Sequence, residues 1–112
     1  MERCPFCETA DAVLSSELAC ARFDKCPVAP GHLLVLTPRH VASYFDTTAD
    51  EKTALLELLD VGKALLDERF EPDGYNIGVN VGAAAGQTIA HLHVHLIPRY
   101  RDDMPAPRGG VR

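Results

Sequence analysis

The chain has 112 residues, 46% hydrophobic and 24% charged, with a net charge of −5, the size and balance of one globular domain rather than of a fibrous or disordered chain. The acidic surplus excludes a broad electrostatic grip on nucleic acid, so an anionic ligand must be held by a few local donors. No apolar run approaches the ~20 residues that cross a bilayer, and the opening MERCPFCETADA has no apolar signal core; the expectation is a cytoplasmic protein with no membrane partner.

Residues 1–10 read as a loop or knuckle carrying Cys4 and Cys7 in CPFC, the spacing of half a tetrahedral zinc site. A redox pair of this spacing normally follows a strand and opens a helix, whereas three residues precede this one. Redox use and accidental spacing stay open beside zinc. Cys20 and Cys26 are six apart and interrupted by charge, so they form no second CxxC and are read as small buried residues. In a reducing compartment four cysteines do not imply a disulfide framework.

Short strands are predicted at 12–14 and 19–23. Pro27, Pro30 and Gly31 mark a turn, and HLLVLT at 32–37, closed by Pro38, reads as a buried strand. TADE at 48–51 is a capping box. Behind it Leu55, Leu58, Leu59, Gly62, Leu65, Leu66 and Phe70 recur at helical spacing until Pro72 and Gly74. This predicts an amphipathic helix at 49–70 whose role is to cover the core. A strand at 75–80, the run GAAAG at 82–86, a strand at 90–99 and a Pro- and Gly-rich tail at 100–112 complete the chain. The pattern implies an α+β fold, a mostly antiparallel sheet with one long helix packed on it, in a single domain over 1–112.

The strongest chemical signal is HLHVHL at 91–96. In a strand alternate side chains share a face, so Leu92, Val94 and Leu96 are expected in the core and His91, His93 and His95 together on an open surface. Three readings follow: solvated histidines, a three-histidine metal site, or nucleophilic catalysis. Chance gives such an alternation of the chain's 5 histidines about once in a hundred such sequences. A metal site of this kind usually takes a further ligand from elsewhere. A neutral imidazole attacks phosphorus well at neutral pH, and flanking imidazoles can hold the phosphate oxygens. The third reading therefore accounts best for the spacing.

The string GQTIAHLHVHLIPR at 86–99 resembles the signature of the histidine-triad nucleotide hydrolases and transferases. The resemblance extends over DKCPVAPGHLLVLTPRH at 24–40, the helix, and GYNIGVNVGAAAGQT at 74–88. It is nearest to the small bacterial and archaeal members described as dinucleoside polyphosphate hydrolases. It implies that His93 is the nucleophile, forming a nucleotidyl-histidine that water then hydrolyses. His95 and His32 would contact the phosphate and leaving-group region. Gln87 and Asn80 would hydrogen-bond the phosphate or its bridging atom, although as loop residues they need no function. Asp24 would accept from ribose hydroxyls, although it also suits the start of the turn before Pro27. A related transferase branch ends its triad in glutamine, so His95 favours water as acceptor.

The resemblance also implies a closed, structural zinc site on Cys4, Cys7, His40 and His91, with no catalytic metal, and a homodimer with a joined sheet. The expected function is cleavage of a nucleotidyl phosphoanhydride, ester or amidate, such as diadenosine tetraphosphate or an adenosine phosphoramidate. The alternatives are a non-catalytic nucleotide-binding or interaction module, and a metalloenzyme built on the three histidines. The tail is expected either to be solvated or to bring Arg101 or Arg108 near a polyphosphate.

Overall fold

The chain is described here from a computed structural model, which covers residues 4–7 and 10–108; the rest of the predicted knuckle and the tail beyond Arg108 lie outside the described residues. The helix predicted at 49–70 is α1 (Ala49–Phe70), and it starts where its cap dictates. The Thr48 hydroxyl accepts from the Glu51 amide at 3.0 Å, and the Glu51 carboxylate accepts from the Thr48 amide at 2.9 Å, satisfying two amides that an uncapped helix leaves unpaired. The helix stops at Glu71, which turns left-handed (φ 50°) just before Pro72.

Five strands, β1 (Leu14–Ser15), β2 (Cys20–Phe23), β3 (Leu33–Leu36), β4 (Gly74–Val79) and β5 (His93–Arg99), form an antiparallel sheet in the order β1-β2-β3-β5-β4. The α+β architecture is therefore the one the sequence implies. Boundaries move by one to three residues. The largest change is at β5, which begins at His93 rather than at residue 90; before it, the Leu92 amide donates to the Val41 carbonyl at 2.7 Å.

Strand parity sorts the sheet into two faces. Leu33 and Val35 of β3 and Val94 and Leu96 of β5 meet Leu55, Leu58, Leu59 and Leu66 of α1 in the main core. Gly62 lets the helix approach closely: a Cβ there would lie 2.9 Å from Leu33 Cδ2 and 3.3 Å from Leu96 Cδ2. On the opposite face Leu34 and Leu36 join Cys20 and Phe6 in a smaller core. The same face carries His93 opposite Leu36, and His95 between Leu34 and Gly78. Because Gly78 has no side chain, the sheet is left bare beside His95.

Candidate active site and metal centre

That bare stretch is the floor of a cleft of about 920 Å³, whose lining includes Asp24, His32, Asn80, His93 and His95. Parity explains the gathering, since Asp24 continues the Arg22 face of β2, His32 the Leu34 face of β3, and Asn80 the Gly78 face of β4. Five of the residues singled out in the sequence thus meet in one place.

Hydrogen bonds settle which nitrogen of each ring carries a proton. His93 Nδ1 lies 2.8 Å from the His91 carbonyl, which only accepts, so Nδ1 holds the proton and the neutral ring keeps a lone pair on Nε2. His32 is held the other way round. Its Nδ1 accepts from the Val28 amide at 3.1 Å, which leaves the proton of the neutral ring on Nε2, 2.9 Å from His95 Nδ1. His95 then accepts at Nδ1 and carries its own proton on Nε2. Burial first, then the neighbouring His93 and His32, push the His95 pKa down to about 4. Burial also lowers that of His32, against an opposing pull from Asp24. In its neutral form the His93 ring thus sets a lone pair beside the imidazole N–H donor of His95, with ring centroids 5.1 Å apart.

Asp24 Oδ1 accepts from the Cys26 amide at 2.9 Å, closing the local turn, and its Oδ2 lies 3.6 Å from His32 Nε2. Gln87 stands apart from the cleft lining. Its Oε1 accepts from the Gly82 amide at 2.8 Å, and its Nε2 donates to the Ala42 and Ile89 carbonyls at 2.8 and 3.1 Å. The amide braces the loop through Gly82 (φ 88°) and Gly86 (φ 91°), and a Cβ on Gly86 would come 3.2 Å from Asn80 Nδ2.

The expectation that all three triad rings share an open surface needs correction. His91 is fully buried, whereas His93 and His95 are half-buried. Its Nε2 donates to the Thr37 carbonyl at 2.7 Å, so the lone pair sits on Nδ1, and that nitrogen faces Cys4 Sγ at 3.4 Å and Cys7 Sγ at 3.5 Å. Cys7 Sγ is also 3.2 Å from His40 Nδ1. The four ligand atoms lie within 4.8 Å of one another. A tetrahedral zinc with Zn–S of ~2.3 Å and Zn–N of ~2.0–2.1 Å sets N···S separations of about 3.5 Å. Two soft thiols and two imidazoles thus fit zinc in both chemistry and span, and the backbone acceptor that fixes the His91 tautomer is the outer partner such a ligand normally has. Asp24, His32 and His95 form a second group whose ligand atoms fall within the same span.

Several contacts have no local sequence signal. Phe6, between the two cysteines, is 7% exposed and packs edge-to-face on the His93 ring with centroids 4.8 Å apart. Buried Arg22 donates to the Pro5 carbonyl at 3.0 Å and lies over the Phe6 ring. Arg39 grips Glu51 with two bonds of 2.7 and 3.0 Å. Of the two cysteines expected to be buried, Cys20 is and Cys26 is not: Cys26 lies at the turn after Asp24, exposed beside the cleft. Arg101 and Arg108 do not line the cleft. Residues 100–103 instead turn back beside the start of β4 and the end of β5, where the Arg101 amide donates to Asp73 and Arg99 pairs with Asp103.

Comparison with known proteins agrees with this geometry. The model of the HIT domain matches residues 7–102. A 16.1 kDa HIT-like protein of Mycoplasma pneumoniae is 39% identical over 87% of this chain and 72% of its own length. An asymmetrical bis(5'-nucleosyl)-tetraphosphatase of Schizosaccharomyces pombe is 36% identical over 79% of this chain, which spans 48% of that enzyme. Among solved structures, a HIT family protein of Bacillus anthracis superposes with a TM-score of 0.84 at 31% identity, covering 94% of this chain and 80% of that one. A zinc-bound histidine triad protein of Mycobacterium smegmatis superposes with a TM-score of 0.81 at 28% identity, covering 92% and 79%. By family model, sequence and fold alike, the chain belongs to the HIT family.

Proposed function

We propose that the chain is a nucleotide hydrolase that cleaves a nucleotidyl phosphoanhydride, ester or amidate through a covalent nucleotidyl-histidine on His93. The observation that carries this reading is the 2.8 Å bond from His93 Nδ1–H to the His91 carbonyl, which leaves the Nε2 lone pair as the reactive atom of the ring. In the first step Nε2 attacks the α-phosphorus and the bond to the leaving group breaks. His95 Nε2–H, oriented by His32, hydrogen-bonds the phosphate oxygens as charge builds on them, while the leaving atom departs with the bonding pair and takes its proton from solvent. In the second step water attacks the same phosphorus, the P–N bond breaks and returns the lone pair to His93 Nε2, the monophosphate leaves, and the proton lost by water goes to solvent. His93 and His95 do the chemistry, with His32 completing the catalytic set.

Asp24, at the cleft wall, is assigned to the ribose hydroxyls and Asn80 to the phosphate. Gln87 is assigned to the phosphate as well, and to reach it the amide must release a backbone partner. The relative named a bis(5'-nucleosyl)-tetraphosphatase supports a dinucleoside polyphosphate as substrate, of which diadenosine tetraphosphate is an example. Zinc, held by Cys4, Cys7, His40 and His91, would be structural: a closed Cys₂His₂ set leaves no position for substrate. A homodimer is also assigned, since β4 ends the sheet with Ile77 56% exposed and an edge of this kind invites pairing with a second copy. No helix among the described residues is long and apolar enough to cross a membrane, and the proposed location is cytoplasmic.

The test is intact-protein mass spectrometry after acid-free quenching, with a panel of adenylated substrates. A transient adduct of one nucleotide monophosphate in the wild type, absent in His93→Ala, is the expected result. Nucleotide binding with neither adduct nor product would overturn the reading in favour of a binding module; product without adduct would favour metal chemistry at Asp24, His32 and His95.

A further inference from the structure

We propose that Phe6 is a positioning residue for His93, holding the imidazole in the one orientation that keeps Nε2 available. The inference rests on His93 being the nucleophile. One hydrogen bond, from Nδ1–H to the His91 carbonyl at 2.8 Å, fixes the ring on one side. A single bond of this kind contributes about 1 kcal/mol net and does not stop a half-buried ring from turning. Two rings restrain it further: His95, at 5.1 Å and 71°, and Phe6, nearer at 4.8 Å and an interplanar angle of 69°, both in the edge-to-face range where aromatic pairs attract. An imidazole turned away from the carbonyl would lose the Phe6 contact and regain both tautomers, one of which places the proton on the attacking nitrogen.

Phe6 is itself held from three directions. Cys4 and Cys7 flank it and face His91 Nδ1. The Arg22 guanidinium donates to the Pro5 carbonyl at 3.0 Å and lies 5.3 Å from the Phe6 centroid. Leu34, Leu36 and Cys20 close the small core around it. His91 joins the Phe6 restraint to the hydrogen bond, since its ring faces the thiols while its carbonyl receives the His93 proton. The N-terminal turn is thus both one wall of the cleft, which Phe6 lines, and the clamp on the nucleophile.

The experiment compares the purified wild-type chain with Phe6→Leu, which keeps apolar volume, and Phe6→Tyr, which keeps the ring. Rapid-quench mass spectrometry follows adduct formation from diadenosine tetraphosphate and from adenosine phosphoramidate. Long-range proton–nitrogen spectra of the labelled chains report the His93 tautomer without substrate. Phe6→Leu is expected to form the adduct about ten- to a hundredfold more slowly at saturating substrate, as a small misplacement of a reacting group does, with KM within about threefold of wild type. Its His93 signals should move from the Nδ1–H tautomer toward a mixture, while Phe6→Tyr stays close to wild type in both readouts. Wild-type rate and tautomer in Phe6→Leu would overturn the proposal, as would equal impairment of both variants, which marks Phe6 as core filling alone. If the wild type itself forms no adduct, the nucleophile reading fails, and the tautomer spectra decide the positioning role on their own.

Discussion

His32 and His95 meet nitrogen to nitrogen, Nε2 of one 2.9 Å from Nδ1 of the other, and the Val28 amide occupies the remaining nitrogen of His32 at 3.1 Å. The chain of donors therefore runs one way, from backbone through His32 to His95 and out into the cleft. One proton between the rings satisfies both. A second, on His95 Nδ1, would make His95 a cation in a half-buried site and set its N–H against the His32 N–H 2.9 Å away, so burial and the lost hydrogen bond both oppose it.

A pH dependence follows, with a definite sign. The His95 pKa is pushed down to about 4, by burial first and then by His93 and His32, below the ~6.5 of an unfolded chain. Between those values the unfolded chain binds the proton and the folded one does not. The stabilisation is therefore complete above pH 6.5 and is lost as pH falls toward 4, with a ceiling of about 3 kcal/mol at ~1.4 kcal/mol per pKa unit. Urea unfolding of wild type and His95→Gln across this window should show a steeper loss in the wild type. Parallel curves would remove His95 as the source.

Glu51 ties the helix start to the loop bearing His40. Its pKa is lowered to about 2, chiefly by the hydrogen bond from Arg39, against its own burial. This stabilisation is present above the ordinary carboxylate range and is lost as pH falls toward 2. Glu51→Gln keeps the capping box but removes the charge pair. Arg39 is half-exposed, so the expected loss is about 1 kcal/mol by chemical unfolding, rising to about 2 in Glu51→Ala, where the cap is lost too. Equal losses in the two variants would put the stabilisation in the charge pair alone.

The parts of the molecule legible in the sequence are those written in local spacing. Thr48, Glu51 and the leucines behind them state the helix within one contiguous run, and its ends agree with the structure. Strand parity likewise brings Asp24, His32, Asn80, His93 and His95 to one face without any knowledge of the turns. The open surface that alternation predicts for His91 fails because alternation gives the parity of a residue, not what covers it; the turn at Cys4–Cys7 and the loop at Thr37–His40 come from 84 and 51 positions away or more. The same holds for Phe6 against His93 and Arg39 against Glu51, which no periodicity announces. Gln87 matched a motif position, but only the folded loop reveals its backbone partners.

Gly62 should tolerate nothing larger. Its added Cβ would lie 2.9 Å from Leu33 Cδ2 and 3.3 Å from Leu96 Cδ2, and both leucines are buried in the core beneath α1. Alanine gains about 1 kcal/mol of helix propensity, but overpacking a closed core costs about 1–3 kcal/mol. Gly62→Ala is expected to lower the melting temperature by several degrees, while Gly74→Ala, where an added Cβ meets no atom within 4 Å, is expected to change it little. A higher melting temperature for Gly62→Ala would mean that α1 rides further from the sheet.

Zinc removal separates the two histidine sets. His91 Nδ1 faces both thiols while its Nε2 is committed to Thr37, so His91 belongs with Cys4, Cys7 and His40, whereas His93 spends its Nδ1 proton on a carbonyl. Elemental analysis should therefore find one zinc per chain in the wild type and in His93→Ala, but much less in Cys4→Ala and His91→Ala. Those two variants should also unfold at lower temperature, since a metal bound only by the folded state stabilises it by mass action. Chelation should act slowly, through opening of the N-terminal turn, and adduct formation should decline as the metal is lost because Phe6 leaves with it. Loss of zinc in His93→Ala would mean instead that the metal sits among the cleft histidines. An adduct rate unchanged after complete zinc removal would show that the turn keeps its place without metal, and would leave Arg22 and the small core as the restraints that hold Phe6.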